Sequence, residues 1–492
     1  MPADDFAIIT AAETDGSLYN EDLAPLPPEK RKWGAFEIFN VWSNDIQSLF
    51  GYTLAASLFI SSGINGWWVF AAIVLAGLIV MGLVNLTGRP SVKYGIPYPV
   101  MARAAMGVRG ANLPAMIRGI VAIFWYGVQT YFASTAVAML IYALFGGAEG
   151  ATFLGLTTVD WIAYVFVSIF QVALFMRGID WITKFLNWAG PLVYAVMILL
   201  ALYIWFRAGN GLFSELGVIF SGAAAEDGTS GGVGAFIGVV GTMIAYFAAV
   251  IINYGDFARF VQTDGKMRMG NFLGLPVSLA VFSFLAMFIT AGTAAIFGTI
   301  LTNPAEIVGQ VDSVLLTLIA ALTFFAATVG INLVANFIPP AYDLANLAPA
   351  RISARTGGMI TAGLAFFIGA FWVAAISTIG IAVFVDTLGA ILAPLYGVLV
   401  ADYYIVKKRQ LDVPALFSPS PTGLYWYEGG WNRKALYAVG IAGVFSVATV
   451  WVPVLGALSG YAWLIGAALA AALHVWLMGR ATYTAPAPAP AE

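Results

Sequence analysis

Polar side chains stand inside long apolar runs of this sequence, and their types suit hydrogen bonding to a small polar solute better than bond-breaking chemistry. Near the start, Asn44, Gln47 and Ser48 share one helical face by the i, i+3, i+4 rule, with Asp45 about 100° round from Asn44. Trp125 and Gln129 lie one turn apart, so a flat aromatic surface is followed by an amide with donor and acceptor. A planar heterocycle with amide-like edges could stack on the first and bond to the second. Thr328, Asn332 and Asn336 form a stripe at i, i+4, i+8 that ends at Pro339-Pro340, where a helix must stop or turn. Asp386 sits in an apolar run that holds no basic partner for it, which makes it a candidate proton carrier or gate residue. Each group also has a plainer reading. The first is a polar helix entrance, the Trp and amide positions are interhelical packing and hydrogen bonds, and Asp386 lies shallow and wet.

Catalytic constellations are missing. The sequence offers no metal-ligand spacing, no phosphate-cradling glycine loop with its lysine and no nucleophile paired with a base, so an enzyme is not expected and neither is a cofactor. With no cysteine, disulfides and thiolate metal sites are excluded. A net charge of −3 gives no reason to expect a nucleic-acid partner. The lone His474 reads as a packed or interfacial residue rather than part of a proton relay.

The elements that must position these groups are membrane helices. Of 492 residues, 61% are hydrophobic and 10% charged, and the mean hydropathy is +0.88, which a water-facing surface of this size could not carry. The apolar runs are about 20 residues long and do not alternate as barrel strands would. The expected spans are 38–60, 66–86, 114–144, 158–176, 186–206, 233–253, 273–298, 313–336, 357–375, 378–402, 436–454 and 460–479. With both termini in the cytoplasm, Arg207 is the one basic residue of 22 left on the outer face, the asymmetry expected of a bacterial-type inner membrane. No apolar stretch of a cleaved leader precedes the first span, so that span is expected to direct insertion itself.

The organisation follows from these spans. Residues 1–37 form a cytoplasmic segment, and 38–206 hold five spans. Residues 207–232 are an external connection, and 233–402 hold five more spans. Residues 403–480 carry two peripheral helices with a cytoplasmic joint, and 481–492 are a disordered Ala/Pro tail. Because five is odd, the second block inserts upside down relative to the first, the arithmetic of an inverted repeat with a solute site near the midplane. Gly238 and Gly241, ahead of Tyr246-Phe247, permit either local unwinding or close helix packing in the sixth span.

Several separate stretches resemble the nucleobase-cation symporter-1 family, the permeases for hydantoins, allantoin, cytosine, uracil and related rings. They are Asn20-Glu21-Asp22-Leu23-Ala24-Pro25-Leu26, Asn44-Asp45-Ile46-Gln47-Ser48, Tyr94-Gly95-Ile96-Pro97-Tyr98-Pro99-Val100, Phe124-Trp125-Tyr126-Gly127-Val128-Gln129-Thr130, Asp256-Phe257-Ala258-Arg259, Ala335-Asn336-Phe337-Ile338-Pro339-Pro340-Ala341-Tyr342-Asp343 and Ala401-Asp402-Tyr403-Tyr404. The resemblance implies an all-α LeuT-like architecture of two inverted five-helix repeats plus two C-terminal helices. It also implies that Trp125 and Phe247 sandwich a ring whose polar edge is read by Gln129 and Asn336. Ser48 falls where some members carry an amide, with Gln47 beside it. Sodium-coupled members place hydroxyl side chains where this chain has Gly330 and Ile331, which lack a side-chain oxygen. The coupling ion implied is therefore a proton, with sodium as the alternative. Asp45 and Asp386 are then the titrating candidates, with Thr328 and Asn332 beside the coupling path.

The expected activity is inward symport of a nucleobase, hydantoin, allantoin or similar heterocycle. An amino-acid or vitamin carrier on the same scaffold, and a channel or sensor that binds the solute without accumulating it, are the alternatives.

Overall fold

The computed structural model describes residues 16–146, 150–221, 232–310 and 314–479. The Ala/Pro tail lies outside them. Helix dominates because apolar residues in lipid can satisfy their backbone groups only within a helix, and among the described residues β-pairing is confined to isolated bridges such as Trp33 with Val261.

The first span is not one helix. It runs as α1 (Ala35–Ile46) and α2 (Leu49–Ser61), broken at Gln47 and Ser48. Ser48 is extended at φ −61° and ψ 155°, and its Oγ accepts from Gly51 N, so it caps α2 as a serine caps any helix N-terminus. Helix α3 (Gly66–Tyr94) is the second span, and α4 (Tyr98–Met106) follows as a short buried helix. Helices α5 (Asn112–Phe145), α6 (Thr158–Met176) and α7 (Ile179–Ala208) complete the first five spans. Helix α7 starts seven residues ahead of the expected 186, because Asp180, Thr183 and Lys184 are polar enough to hide its first turns from an apolar pattern. Part of the expected connection folds as α8 (Gly211–Ser221).

The second five repeat the device. The sixth span is split at Phe247 into α9 (Val233–Tyr246) and α10 (Ala248–Asn253), followed by the single turn α11 (Gly255–Ala258). Helix α12 (Asp264–Phe272) continues through a π-helical turn, Leu273–Val277, into α13 (Ser278–Phe297). After α14 (Pro304–Gly309), helix α15 (Val314–Ile331) passes through a π segment, Asn332–Phe337, into α16 (Ile338–Leu347). Helices α17 (Ala354–Ala370) and α18 (Ile381–Ala401) close the block, and α19 (Arg433–Trp451) with α20 (Ala462–Met478) follow it. Nine helical segments among the described residues are long and apolar enough to cross a membrane. The two broken spans and the 17-residue α17 bring the total to twelve. A break in the opening helix of each five-helix block is what an inverted repeat places at the midplane.

Glycine decides two close approaches. A methyl group at Gly241 would run into the carbonyl of Gly460, and one at Gly397 into the carbonyl of Ala467. Helix α9 therefore packs backbone to backbone against the 3-10 turn Pro453–Tyr461 that joins the last two helices, and α18 against α20. Of the two uses open to the sixth-span glycines, Gly241 serves close packing, and the unwinding falls at Phe247.

The N-terminal segment is strapped across one end of the bundle. Asn20 Nδ2 donates to Pro349 O, Asp22 Oδ2 accepts from Ala354 N at the start of α17, and Arg259 Nη2 donates to Asp22 O. The leader motif is thus an anchoring strap.

Candidate functional site

The two helix breaks meet. Ser48 Oγ lies 3.4 Å from the hydroxyl of Tyr246, the last residue of α9. The same hydroxyl lies 3.0 Å from the carbonyl and 2.8 Å from Oδ1 of Asp45 in the final turn of α1. Among the described residues no cation stands within ion-pair distance of Asp45, so the Tyr246 phenol is the hydrogen-bond donor to this buried carboxyl. The start of α2 is held from a third direction, since Leu49 N donates to Thr328 Oγ1 on α15.

Aromatic rings pack around this junction. Trp125 on α5 stands edge-on to Phe50, Tyr246 and Phe384, with centroids 5.1, 5.8 and 5.3 Å away. Phe50 and Tyr246 are nearly parallel, 8° apart. Phe247, expected opposite Trp125, is fully buried and makes its ring contacts with Trp42 and Tyr246 instead. Phe50, Tyr246 and Phe384 are thus the rings that reach Trp125, and the sequence reading named none of them as its neighbours. Tyr246 stood beside a suspected break, and Phe50 follows the polar cluster by two residues, so proximity to the break was the signal available.

Buried amides with unused capacity stand near these residues along the chain. Gln129, one turn from Trp125, is 2% exposed and its Oε1 has no hydrogen-bond partner among the described residues. Gln47, at the break, has neither amide atom partnered, and Asn44 Oδ1 and Ser43 Oγ are likewise unsatisfied. Tyr194 on α7 interacts electrostatically with Ser43, Ser278 and Gln47, although none of these contacts reaches hydrogen-bond geometry. Leaving a buried polar atom unpaired costs about 1–3 kcal/mol. Buried polar groups in native packing ordinarily find a partner, in protein, solvent or a bound solute.

Other candidates are taken up by the scaffold. Asn332 Nδ2 lies 3.1 Å from Tyr126 O, 3.1 Å from Thr130 Oγ1 and 2.8 Å from Gln171 Oε1. Gln171 on α6 in turn donates to Thr130 Oγ1, an intramembrane amide the sequence reading passed over although the same polar-in-lipid argument applies to it. Asn336 Nδ2 donates to Asn332 Oδ1, so the stripe is connected even though a π segment interrupts its helical period. Thr328 is committed to Leu49 N. Asp386, in α18, lies beside the hydroxyl of Thr242, in the helix whose Phe384 touches Trp125. Asn44 Nδ2 donates to Asn40 O and Leu186 O, and its unpartnered Oδ1 lies 3.0 Å from where a β-carbon of residue 330 would stand.

Toward the strapped end, Arg118 on α5 is fully buried and its Nη2 donates to Asn253 Oδ1 at the end of α10 and to Ala335 O in the π segment. Asp256 on α11 accepts from Tyr98 N and from Asn253 Nδ2. Burial pushes the Asp256 carboxyl up to about 6, against the opposing pull of Tyr98 N–H, Arg118, Asn253 and Arg259. His474 is packed, with Nε2 3.1 Å from Asp402 Oδ1, and Asp402 Oδ2 is 2.5 Å from Lys407 Nζ.

The two broken helices thus meet at a cluster of aromatic rings, with Asp45 and Ser48 on one side and Tyr246 on the other. Comparison with known proteins gives the family and the fold. The sequence profile for permeases of cytosine/purines, uracil, thiamine and allantoin matches residues 25–473. The chain is 34% identical over 465 residues to the allantoin permease of Bacillus subtilis, covering 94% of this chain and 93% of that protein. It is 30% identical to a purine-uracil permease of Arabidopsis thaliana, covering 91% and 74%. Its fold is similar to that of Mhp1, a nucleobase-cation-symport-1 family transporter, in a closed conformation with bromovinylhydantoin bound, with TM-score 0.77 and 22% identity over 94% of this chain and 95% of that one. The inward-facing conformation of Mhp1 matches with TM-score 0.74, at 22% identity and 94% coverage of both chains.

Proposed function

The chain belongs to the family of permeases for cytosine/purines, uracil, thiamine and allantoin, a multi-pass membrane transporter with no enzymatic role, and from that premise we propose that it imports a small planar heterocycle with amide edges by proton symport. The observation that carries this reading is the set of unpartnered buried amide atoms of Gln129, one turn from Trp125 on α5, and of Gln47, at the first helix break. A ring bearing alternate N–H and C=O groups satisfies them and packs against Trp125, Tyr246 and Phe50. Allantoin leads the solute panel because the Bacillus subtilis relative is an allantoin permease, with uracil, cytosine and hydantoin beside it.

Asp45 is the coupling group in this proposal. Its carboxyl and backbone carbonyl share the hydroxyl of Tyr246, so a change in its charge acts on both broken spans together. Asp386 is the second titratable candidate. Gly330 and Ile331 supply no side-chain oxygen for a sodium ion, and the hydroxyl of Thr328 is engaged by Leu49 N–H. Both termini and the strapped end face the cytoplasm in this reading, in accord with the distribution of basic residues.

Uptake into reconstituted vesicles tests the whole reading. Accumulation of one panel member under an inward proton gradient without sodium is expected. Strict dependence on sodium would overturn the coupling assignment, and failure of every heterocycle to compete would overturn the solute class.

A further inference from the structure

A groove on the lipid-facing side of the bundle has the shape and chemistry of a binding site that the transport reading does not use. It lies between α6 and α17, against the flank of α5, and encloses about 440 Å³. Val165, Ile169, Ala362, Gly363, Tyr126 and Thr130 are among its walls. Its hydroxyls are turned away, since Thr130 Oγ1 donates to Tyr126 O and Ser168 Oγ to Tyr164 O. The Tyr126 hydroxyl is the one unpartnered polar atom among the lining side chains. A single polar contact cannot hold a water, which needs two to four, nor read a heterocycle. Ile169 and Met359 are exposed, so the groove opens sideways, where acyl chains are the solvent.

At the helix ends next to lining residues Ala173 and Met359, the Phe175 ring fills the space a side chain at Gly358 would take and stacks on Phe337 at 4.2 Å. The same ends of the two helices carry Arg177, which caps α6, and Arg351 and Arg355 at the start of α17, all exposed. Lys184 and Arg177 both lie over the ring of Trp181, each 5.5 Å from its centroid, an aromatic and basic grouping typical of the headgroup layer. None of these four cations forms an ion pair among the described residues. Asp180 on α7 forms none either, and the carboxylate of Asp22 is engaged by Ala354 N–H. The result is a dry apolar slot ending in unneutralised positive charge, which is the complement of an anionic phospholipid.

We propose that this groove seats an acyl chain of an anionic phospholipid whose headgroup is held by Arg177, Arg351 and Arg355. The chain braces the flank of α5 formed by Tyr126 and Thr130, next to the face that carries Trp125 and Gln129. This inference concerns lipid, so it stands or falls separately from the identity of the solute.

Native mass spectrometry of the full-length protein, titrated with phosphatidylglycerol or phosphatidylcholine, reads it directly. The wild-type protein retains phosphatidylglycerol in preference to phosphatidylcholine. The double variant Arg177→Gln/Arg355→Gln loses about 25-fold in phosphatidylglycerol affinity, about five-fold for each charge, with phosphatidylcholine unchanged. A β-carbon at Gly363 meets nothing within 4 Å, so Gly363→Leu fills the groove without a clash and lowers retention of both lipids. Equal retention of the two lipids by the wild type would overturn the proposal. So would unaltered phosphatidylglycerol retention in a folded Gly363→Leu protein. Should the groove variant not fold, the arginine pair, being on the surface, still decides the matter: undiminished phosphatidylglycerol affinity in that double variant would overturn the headgroup assignment.

Discussion

Tyr246 and Asp45 hold the two broken spans together: one phenolic hydroxyl, at the end of α9, sits within 3.0 Å of the carbonyl and 2.8 Å of the carboxylate of the residue that precedes the other break. Neither break could shift by a bond length without disturbing that contact. Tyr246→Phe keeps the ring packing on Trp125 and Phe50 and removes the hydroxyl. A hydrogen bond to a charged group contributes about 1.5–3 kcal/mol, so uptake should fall roughly 10- to 100-fold while the protein remains folded. Wild-type uptake rates in the variant would show that the link has no role in transport.

Asp45→Asn separates binding from coupling. The amide still accepts from Tyr246, so solute exchange at equal concentrations on both sides should persist. Accumulation driven by an inward proton gradient should vanish. Vesicle counterflow and gradient-driven uptake measured on one preparation check this, and retained accumulation would move the coupling role to Asp386.

Gln129→Leu should stabilise the solute-free protein and destroy binding. The native Oε1 is buried without a partner among the described residues, a strain of about 1–3 kcal/mol that a leucine of similar size removes. Solute affinity should drop at least about ten-fold, the worth of one lost hydrogen bond. Thermal unfolding and equilibrium binding must move in opposite directions; a protein made less stable would count against the amide as a solute contact.

Asn332→Ala should act on folding. Its amide is the partner of Gln171 Oε1 and of Asn336 Nδ2, so removal strands one buried acceptor and one buried donor and should cost roughly 2–4 kcal/mol. Reduced yield and earlier thermal unfolding are the expected signs. Normal stability with lost uptake would return Asn332 to the solute or ion path.

Asp256 gives the strapped end a pH dependence. Its carboxyl, beyond the sixth span, is raised by burial from 3.8 to about 6, with Tyr98 N–H, Asn253, Arg118 and Arg259 opposing the shift and Asp343 adding like charge nearby. A raised acid binds its proton more tightly in this packed arrangement than when exposed. The packing is therefore favoured fully below about pH 4 and loses that advantage as pH rises through about 6. Protection factors of α10 and α11, taken relative to intrinsic exchange at each pH, should fall between about pH 5 and 7, and Asp256→Asn should flatten that fall.

Much of this was visible in the sequence because a polar side chain in lipid is expensive wherever it occurs. Trp125, Gln129, Asn336 and Asp45 stood out for that reason, and the twelve spans followed from apolar length. What escaped was set by contacts between distant residues. Ser48 reads as polar from its type, but that the helix stops there depends on Thr328 accepting from Leu49 N across 279 positions. The break at Phe247 has no glycine or proline to announce it and is held by the Tyr246 link to Asp45. Asn332 and Thr328 looked available because their partners, Gln171 and the α2 backbone, come from other spans.

The fit of Gly241 against the Gly460 carbonyl, with Gly397 against that of Ala467, leaves no room for side chains to slide past one another. Helices α9, α18, α19 and α20 should consequently travel as a single body, and any rearrangement that exposes the solute must open a seam elsewhere. The last two helices then act as a keel fixed to the half of the transporter that bears Tyr246, and trimming them off should free the sixth span rather than merely shorten the chain.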